Sequence, residues 1–182
     1  MSRLRALETS EAAPNVKAAL EGVQKKLGKT PNLMRTMANS PAVLDSYLGF
    51  SNSLSKTSLS PKIREQIALT VGEANRCQYC LAAHTALGKL AGLGKEEITD
   101  SRRGESTDPK TDAILRFASK IVSERGWVID QDVESVRAAG LDDGEIAEVV
   151  AIVALNIFTN YANNVAEPDI DFPRAQTVKR AA

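Results

Sequence analysis

The chain has 182 residues, enough for one large domain with a buried core. Its 23 Lys and Arg residues balance its 23 Asp and Glu residues, so charge gives no reason to expect binding to nucleic acid or to an anionic membrane surface. Residues 1–16 contain no long apolar run of the kind that a secretory signal needs, and we therefore expect a cytoplasmic protein.

Helical periodicity dominates the sequence, and no sustained alternation of apolar and polar residues indicates strands. A capping residue followed by proline predicts helix starts at Thr30-Pro31, Ser40-Pro41, Ser60-Pro61 and Asp108-Pro109. We predict an all-α protein and interpret residues 101–108 as a surface loop. The predicted helices cover residues 14–27, 32–38, 41–54, 61–74, 109–125, 130–139 and 144–166, and a further helix runs from a corner at residues 75–76 to Gly92 or Gly94.

We expect one domain over residues 1–182, with a helical N-terminal extension over about residues 1–30 and a C-terminal tail over about residues 168–182. The last helix is apolar nearly all round over residues 149–155, which predicts burial on all sides. Its asparagines argue against a bilayer span, since unpaired amides are costly in lipid. In the tail, Ile170 and Phe172 either dock on a neighbouring subunit or belong to a frayed end. Trp127 is predicted to be a core or interface residue.

The candidate site is the stretch of residues 65–84, which holds both cysteines and the single histidine. On one α-helix, Cys77, Cys80 and His84 would share a face, and Cα atoms three residues apart lie ~5 Å from each other, close enough for a disulfide. Helical side chains lean towards the N-terminus, so the imidazole of His84 reaches Cys80 first. The pattern predicts Cys80 as the reactive thiolate and Cys77 as the resolving cysteine.

Acidic residues nearby complete this prediction. If the helices on either side of residue 75 fold back antiparallel, Glu65 comes level with His84 and its carboxylate orients the imidazole. Glu73 is a rival acid near Cys77, or else a solvated charge at a helix end. Tyr79, between the cysteines, is expected to pack beside them.

This spacing of Glu65, Cys77, Cys80 and His84 resembles the signature of the alkylhydroperoxidase D-like (AhpD-like) proteins of the carboxymuconolactone decarboxylase superfamily. The likeness spans roughly residues 31–173. Three segments resemble the peroxidase-related branch of that family: Pro31–Pro41, Asn75–His84 and Asn156–Glu167.

The resemblance implies an AhpD-like helical fold with a central hairpin carrying the CxxC motif and a long buried C-terminal helix. It also implies a homo-trimer or homo-hexamer that reduces hydroperoxides in antioxidant defence without a cofactor or a metal. By position, Cys80 corresponds to the peroxide-attacking cysteine, Cys77 to the proton donor and resolving cysteine, and His84 with Glu65 to the proton relay. An external dithiol, such as a lipoyl-bearing or thioredoxin-like protein, would then restore the dithiol. Some members carry a second histidine directly before the second cysteine, where this chain has Tyr79.

Two alternatives stay open. One is decarboxylation of a lactone acid, the reaction that names the superfamily, which has no need for paired cysteines. The other is a non-catalytic redox-sensing or metal-binding oligomer, for which Cys77, Cys80, His84 and Glu65 are four possible ligands.

Overall fold

The structure is a computed structural model that describes residues 2–178. These residues form the all-α fold that the sequence predicts. The α-helices of the described chain are α1 (Pro14–Leu27), α2 (Asn32–Met37), α3 (Pro41–Leu54), α4 (Pro61–Ala74), α5 (Gln78–Leu90), α6 (Lys95–Arg103), α7 (Pro109–Ser123), α8 (Asp130–Ala138) and α9 (Asp143–Ala166).

The predicted starts at Ser40-Pro41, Ser60-Pro61 and Asp108-Pro109 are confirmed, whereas at Thr30-Pro31 the proline itself is the N-terminal cap and α2 begins at Asn32. Proline occupies the first turn of α1, α3, α4 and α7, where a missing N–H costs nothing because that group has no partner inside the helix. Two of these helices also have a side-chain cap. The Ser60 hydroxyl accepts a hydrogen bond from the Ile63 N–H at 3.2 Å, and the Asp108 carboxylate accepts one from the Thr111 N–H at 2.8 Å.

Helix α4 lies at the centre of the fold and packs against α5, α6, α7 and α9. Its residues from Gln66 to Gly72 are all buried, as a helix covered by neighbours on several sides requires. Helix α5 runs back along α4, so the two form the predicted hairpin. The chain turns between them at residues 75–77.

Two large apolar clusters flank this hairpin. One joins α4, α7, α8 and α9. The other contains Leu20 of α1 and Leu44 of α3 together with Cys77 and Cys80. The N-terminal helical segment therefore helps to bury the cysteines and is not separate from the core.

The prediction of a surface loop over residues 101–108 is wrong in its first half. Ser101, Arg102 and Arg103 form the last turn of α6, a helix missing from the predicted elements, and the first two of them are buried. A tertiary contact explains the error. The guanidinium of Arg102 pairs with Glu73 of α4 at 2.7 Å, so a polar segment is held against the centre of the fold. Glu73 is consequently an ion-pair partner rather than a solvated helix-end charge.

Gly104 ends α6 in the left-handed region, with φ of 77°. A Cβ atom at this position would lie 2.6 Å from the Ser119 hydroxyl of α7. Glycine is therefore required both for the backbone conformation and for the close approach of the two helices.

Helix α9 is buried along one side only, whereas the sequence predicts burial on all sides. Its buried face includes Val149, Val153 and Asn160. By length and composition α9 could also cross a membrane, with a mean hydropathy of 1.3, but it packs against α3, α4, α5 and α7 as a core helix does. Its outward apolar residues, which we call the α9 stripe, are Val150, Phe158, Tyr161 and Val165.

Other expectations need correction as well. Trp127 is 86% exposed and is not a core residue. The tail docks on its own chain through Asp171 and Phe172. Residues 1 and 179–182, which belong to the predicted extension and tail, lie outside the described residues.

Candidate active site

The corner between α4 and α5 presents the cysteines. Arg76 adopts the left-handed conformation, with φ of 53°, and turns the chain sharply after α4. Cys77 then precedes the first turn of α5, and its Sγ accepts a hydrogen bond from the Cys80 N–H at 3.3 Å. Cys77 and Cys80 form a disulfide, with their Cα atoms 5.3 Å apart. The sequence predicts both cysteines on a helix, but Cys77 lies just outside it as the N-terminal cap.

Glu65 and His84 meet across the hairpin, as the antiparallel arrangement predicts. Glu65 Oε2 lies 2.8 Å from His84 Nδ1, and the two side chains are 21% and 22% exposed. When the carboxylate accepts a hydrogen bond from Nδ1, the other ring nitrogen, Nε2, is left without a proton and can act as a base. The contact gives the site an oriented imidazole one helical turn from Cys80.

A cavity of about 500 Å³ contains this polar group. Cys80, His84 and Glu65 all line it, and most of its other walls are apolar side chains, among them Met34, Leu48 and Phe172. Cys77 lines a second cavity of about 380 Å³ and not the first. Of the two cysteines, only Cys80 therefore lines the same cavity as the Glu65–His84 pair.

Asn163 of α9 is a site residue that the sequence analysis missed. Its Nδ2–H donates a hydrogen bond to Cys80 Sγ at 3.2 Å, and the residue is only 3% exposed. Neighbouring asparagines hold the same corner, since Asn160 Oδ1 accepts from Asn75 Nδ2 at 2.9 Å and Asn164 Nδ2 donates to the Asn75 carbonyl at 3.1 Å. The helical spacing of these asparagines is visible in the sequence, but it does not indicate which residues they contact.

Tyr47 of α3 is a second missed residue. It lines the larger cavity, and burial together with the nearby charge of Glu65 raises the pKa of its phenol to about 12. The hydroxyl therefore stays protonated at neutral pH and remains a hydrogen-bond donor beside the Glu65–His84 pair. In the sequence, Tyr47 lies on the helix predicted over residues 41–54, and nothing there indicates its contact with Glu65.

Tyr79 is packed beside the cysteines, as predicted, and is 5% exposed. Its hydroxyl donates to Asp171 Oδ1 at 2.6 Å and accepts from the Leu33 N–H at 3.1 Å. Phe172 contacts the ring edge-on, with centroids 5.8 Å apart. Burial, strengthened by the bond to Asp171, raises the pKa of the Tyr79 phenol above its ordinary value. These contacts give Tyr79 a structural role in fastening the tail over the corner.

The rival assignments receive less support from the geometry. Glu73, the alternative acid, is held by Arg102. Within residues 2–178, no group of three or more His, Cys, Asp or Glu side chains is arranged to hold a metal ion, and both sulfurs are engaged in the disulfide.

Comparison with known proteins supports the fold. Residues 41–124 match the carboxymuconolactone decarboxylase family, a span that runs from α3 to α7 and includes Glu65, Cys77, Cys80 and His84. Comparison with curated proteins finds no match.

Several solved structures share the architecture. A peroxidase-related protein from Ralstonia eutropha JMP134, described as an alkylhydroperoxidase AhpD core, is 24% identical over 93% of this chain and 92% of its own, with a TM-score of 0.86. A peroxidase-related protein from Silicibacter sp. TM1040 is 25% identical over 94% of this chain and 97% of its own, with a TM-score of 0.81. The debrominase Bmp8, solved in complex with 2,3,4-tribromopyrrole, is 18% identical over 94% of this chain and 92% of its own, with a TM-score of 0.80.

The fold thus recurs in proteins described by different chemistries, so the fold alone does not define the reaction. The family match covers less than half of the chain, and the shared architecture shows that the chain has the fold of the AhpD-core and peroxidase-related proteins.

Proposed function

We propose that this protein is a thiol-dependent hydroperoxide reductase of antioxidant defence, which cycles Cys77 and Cys80 between dithiol and disulfide. One observation carries the proposal: Cys80 shares a cavity with the Glu65–His84 pair and is bonded to Cys77, which lies outside that cavity. A thiol beside an oriented base, with a second thiol in bonding distance, can reduce a peroxide without a cofactor.

The cycle begins with the dithiol. His84, oriented by Glu65, takes the proton of Cys80, and the thiolate attacks the terminal oxygen of the hydroperoxide. The O–O bond breaks, the alkoxide takes the proton from His84 and leaves as an alcohol, and Cys80 becomes a sulfenic acid. Cys77 then attacks the Cys80 sulfur, water leaves, and the disulfide forms. An external dithiol, lipoyl-bearing or thioredoxin-like, restores the two thiols by exchange.

Mass spectrometry of the reduced protein after one equivalent of cumene hydroperoxide tests this cycle. We expect a loss of about 2 Da, reversed by dihydrolipoamide, as two thiols become a disulfide. Cys77→Ser removes a thiol from the same corner and serves as the matched control: it should gain about 16 Da and stop at the sulfenic acid. Cys80→Ser should not react, and peroxide consumption unchanged by this substitution would refute the assignment.

Reductive dehalogenation is a second candidate, favoured by the size of the cavity. A volume of about 500 Å³ with largely apolar walls has room for a ring as well as for a hydroperoxide group. The Cys80 thiolate would take the halogen from the ring, a proton would replace it, and Cys77 would displace the halide to form the same disulfide. Bromide release from 2,3,4-tribromopyrrole by the dithiol form, faster than its reaction with cumene hydroperoxide, would favour this candidate.

Decarboxylation of a lactone acid makes a different prediction. It needs no thiol, so turnover would persist in a variant with both Cys77 and Cys80 changed to Ser.

The proposed reductase works in the cytoplasm, where cellular reductants can return the disulfide to the dithiol.

We also propose that the protein forms a homo-oligomer, a trimer or hexamer, through the α9 stripe. Phe158 and Tyr161 of this stripe are 39% and 57% exposed on a helix that is otherwise part of the core, and clustered exposed apolar residues favour association. Phe158→Asp should lower the mass measured by analytical ultracentrifugation. Phe50 of α3 is 38% exposed and lies outside the stripe, so Phe50→Asp is the matched control. An unchanged mass for Phe158→Asp would place the interface elsewhere.

A further inference from the structure

The two cysteines of the disulfide line different cavities. Cys80 lines the larger cavity with His84 and Glu65, and Cys77 lines the cavity of about 380 Å³ on the other side of the corner. We call these the His84 cavity and the Cys77 cavity. Among residues 2–178, only Tyr79 and Asn163 line both, so these two side chains and the disulfide form the partition between them.

The partition is firmly held. The Tyr79 hydroxyl is bonded to Asp171 and to the Leu33 N–H, and Asn163 donates to Cys80. Both side chains are at most 5% exposed. A molecule in one cavity therefore meets one sulfur of the disulfide and not the other.

The two chambers differ in character. The His84 cavity is largely apolar and holds the proton-transfer pair. The Cys77 cavity has a polar, exposed rim formed by Arg76, Gln78, Asn164 and Glu167. It opens where α5 begins and α9 ends, and it contains no histidine. Such a chamber suits a partner that brings its own nucleophile and needs no base from the protein.

We infer that hydroperoxide and reductant use opposite sides of the disulfide: a small dithiol comes in through the Cys77 cavity, attacks Cys77 and expels Cys80. This inference rests on the proposed dithiol–disulfide cycle. Thiol–disulfide exchange is an in-line displacement, so the attacking sulfur must approach from the side opposite the leaving sulfur. Approach from the Cys77 cavity meets that requirement, because Cys80 lines the other chamber and not this one.

The leaving group supports the same direction. When the thiolate of the reductant bonds to Cys77, the Cys77–Cys80 bond breaks and its electron pair stays on Cys80. The resulting thiolate is stabilised by the Asn163 N–H at 3.2 Å and lies beside His84, and exchange is faster when the leaving thiolate is the more stable one. The second thiol of the reductant then displaces Cys77, which takes the remaining proton, and the reductant departs as a disulfide.

A dithiol can reach Cys77 only when the C-terminal tail is displaced. Cys77 is 0% exposed, and Ile170 of the tail lines the Cys77 cavity and packs against the cluster that contains Cys77. Ile170 is half-buried, so it can be displaced more easily than the partition. Dithiol access and tail displacement are thus coupled.

Peptide mass spectrometry can show which cysteine a thiol attacks in the disulfide. The oxidised protein is mixed with glutathione, which as a monothiol cannot complete the second displacement, then quenched in acid, alkylated with N-ethylmaleimide and digested with trypsin. Both cysteines fall in one peptide, residues 77–89, whose fragmentation separates them. We expect glutathione on Cys77 and maleimide on Cys80. Glutathione on Cys80 would overturn the inference.

Matched variants test the two routes to the disulfide. Gln78→Trp narrows the rim of the Cys77 cavity and should slow reduction of the disulfide by dihydrolipoamide about tenfold, with oxidation by cumene hydroperoxide changed less than about twofold. Asn52→Trp, at the edge of the His84 cavity, should do the reverse. Ile170→Ala should speed reduction. Equal effects of Gln78→Trp on oxidation and on reduction would refute separate routes. Because reduction of the disulfide is measured without peroxide, that result would leave the peroxidase proposal untouched.

Discussion

Replacing Asn163 by alanine tests how the fold stabilises the thiolate of Cys80. The substitution removes the N–H donor that lies 3.2 Å from Cys80 Sγ. A hydrogen bond to a charged group contributes about 1.5–3 kcal/mol, and sulfur is a weak acceptor, so the lower end of that range applies. At about 1.4 kcal/mol per pKa unit, the thiol pKa of Cys80 should rise by about one unit.

The effect on rate should change sign with pH. Below the thiol pKa, the variant has about tenfold less thiolate, but a more basic thiolate is also more nucleophilic, by about threefold per pKa unit. The net rate of reaction with cumene hydroperoxide should therefore fall about threefold at low pH and rise about threefold at a pH above both pKa values. A defect of folding or packing would lower the rate at every pH.

The assay uses a Cys77→Ser background, so that Cys80 is the single thiol, and follows alkylation by iodoacetamide and oxidation by peroxide as functions of pH. Asn164→Ala is the matched control, since Asn164 holds the same corner through the Asn75 carbonyl without touching the sulfur. Melting temperatures are compared for both variants. An unshifted pH profile for Asn163→Ala, or the same shift in the control, would refute the role assigned to this amide.

The remaining predictions concern the relay, alkaline stability and the end of α6. Glu65→Gln should lower the rate of Cys80 oxidation about tenfold or more with little change in KM. Glu97→Gln, which weakens a surface ion pair with Lys62 and the cap of α6, should not. Stopped-flow oxidation with peroxide measures both. Because the pKa of Tyr47 is raised to about 12, the folded state keeps the phenolic proton between pH 10 and about 12, whereas the unfolded state loses it. The free energy of unfolding should therefore fall as pH rises through that window. In urea titrations, Tyr47→Phe should lose less stability over the same pH range. Gly104→Ala should destabilise the fold by about 2–3 kcal/mol in urea denaturation, through backbone strain and a clash with the Ser119 hydroxyl. Gly28→Ala should cost less, because Gly28 has a similar φ but open space around it.

Local regularities account for most of what the sequence predicted correctly. The proline-led helix starts follow from the chemistry of a first turn, which neighbouring residues alone determine. The Glu65–His84 contact follows from helix geometry, because an antiparallel hairpin that turns near residue 75 brings positions about ten residues on either side to the same level. Both arguments use only residues that lie near one another in the sequence.

The errors arise where a partner far along the chain decides the outcome. Residues 101–103 look like a loop by composition, but a charge on α4, 29 residues away, holds Arg102 in a helix. The face of α9 could not be assigned from periodicity, since an apolar residue in an outer stripe has the same composition as one in the core. Tyr47 is similar: its helix is predicted from the sequence, but not that Glu65 would be its neighbour.

The asparagines of α9 show how such a partner could be anticipated. A buried amide is costly unless its polar atoms are bonded, so an asparagine on the apolar face of a core helix requires a polar partner on the surface it packs against. Asn160 is hydrogen-bonded to Asn75, and Asn163 is hydrogen-bonded to Cys80, 83 residues earlier in the chain. Asn163 Oδ1 is buried with no hydrogen-bond partner among residues 2–178, and the side chain lines the cavity where the hydroperoxide is proposed to bind. An acceptor free at that place can receive the O–H of a hydroperoxide while the N–H of the same amide holds the thiolate, so the amide would align the two reacting atoms.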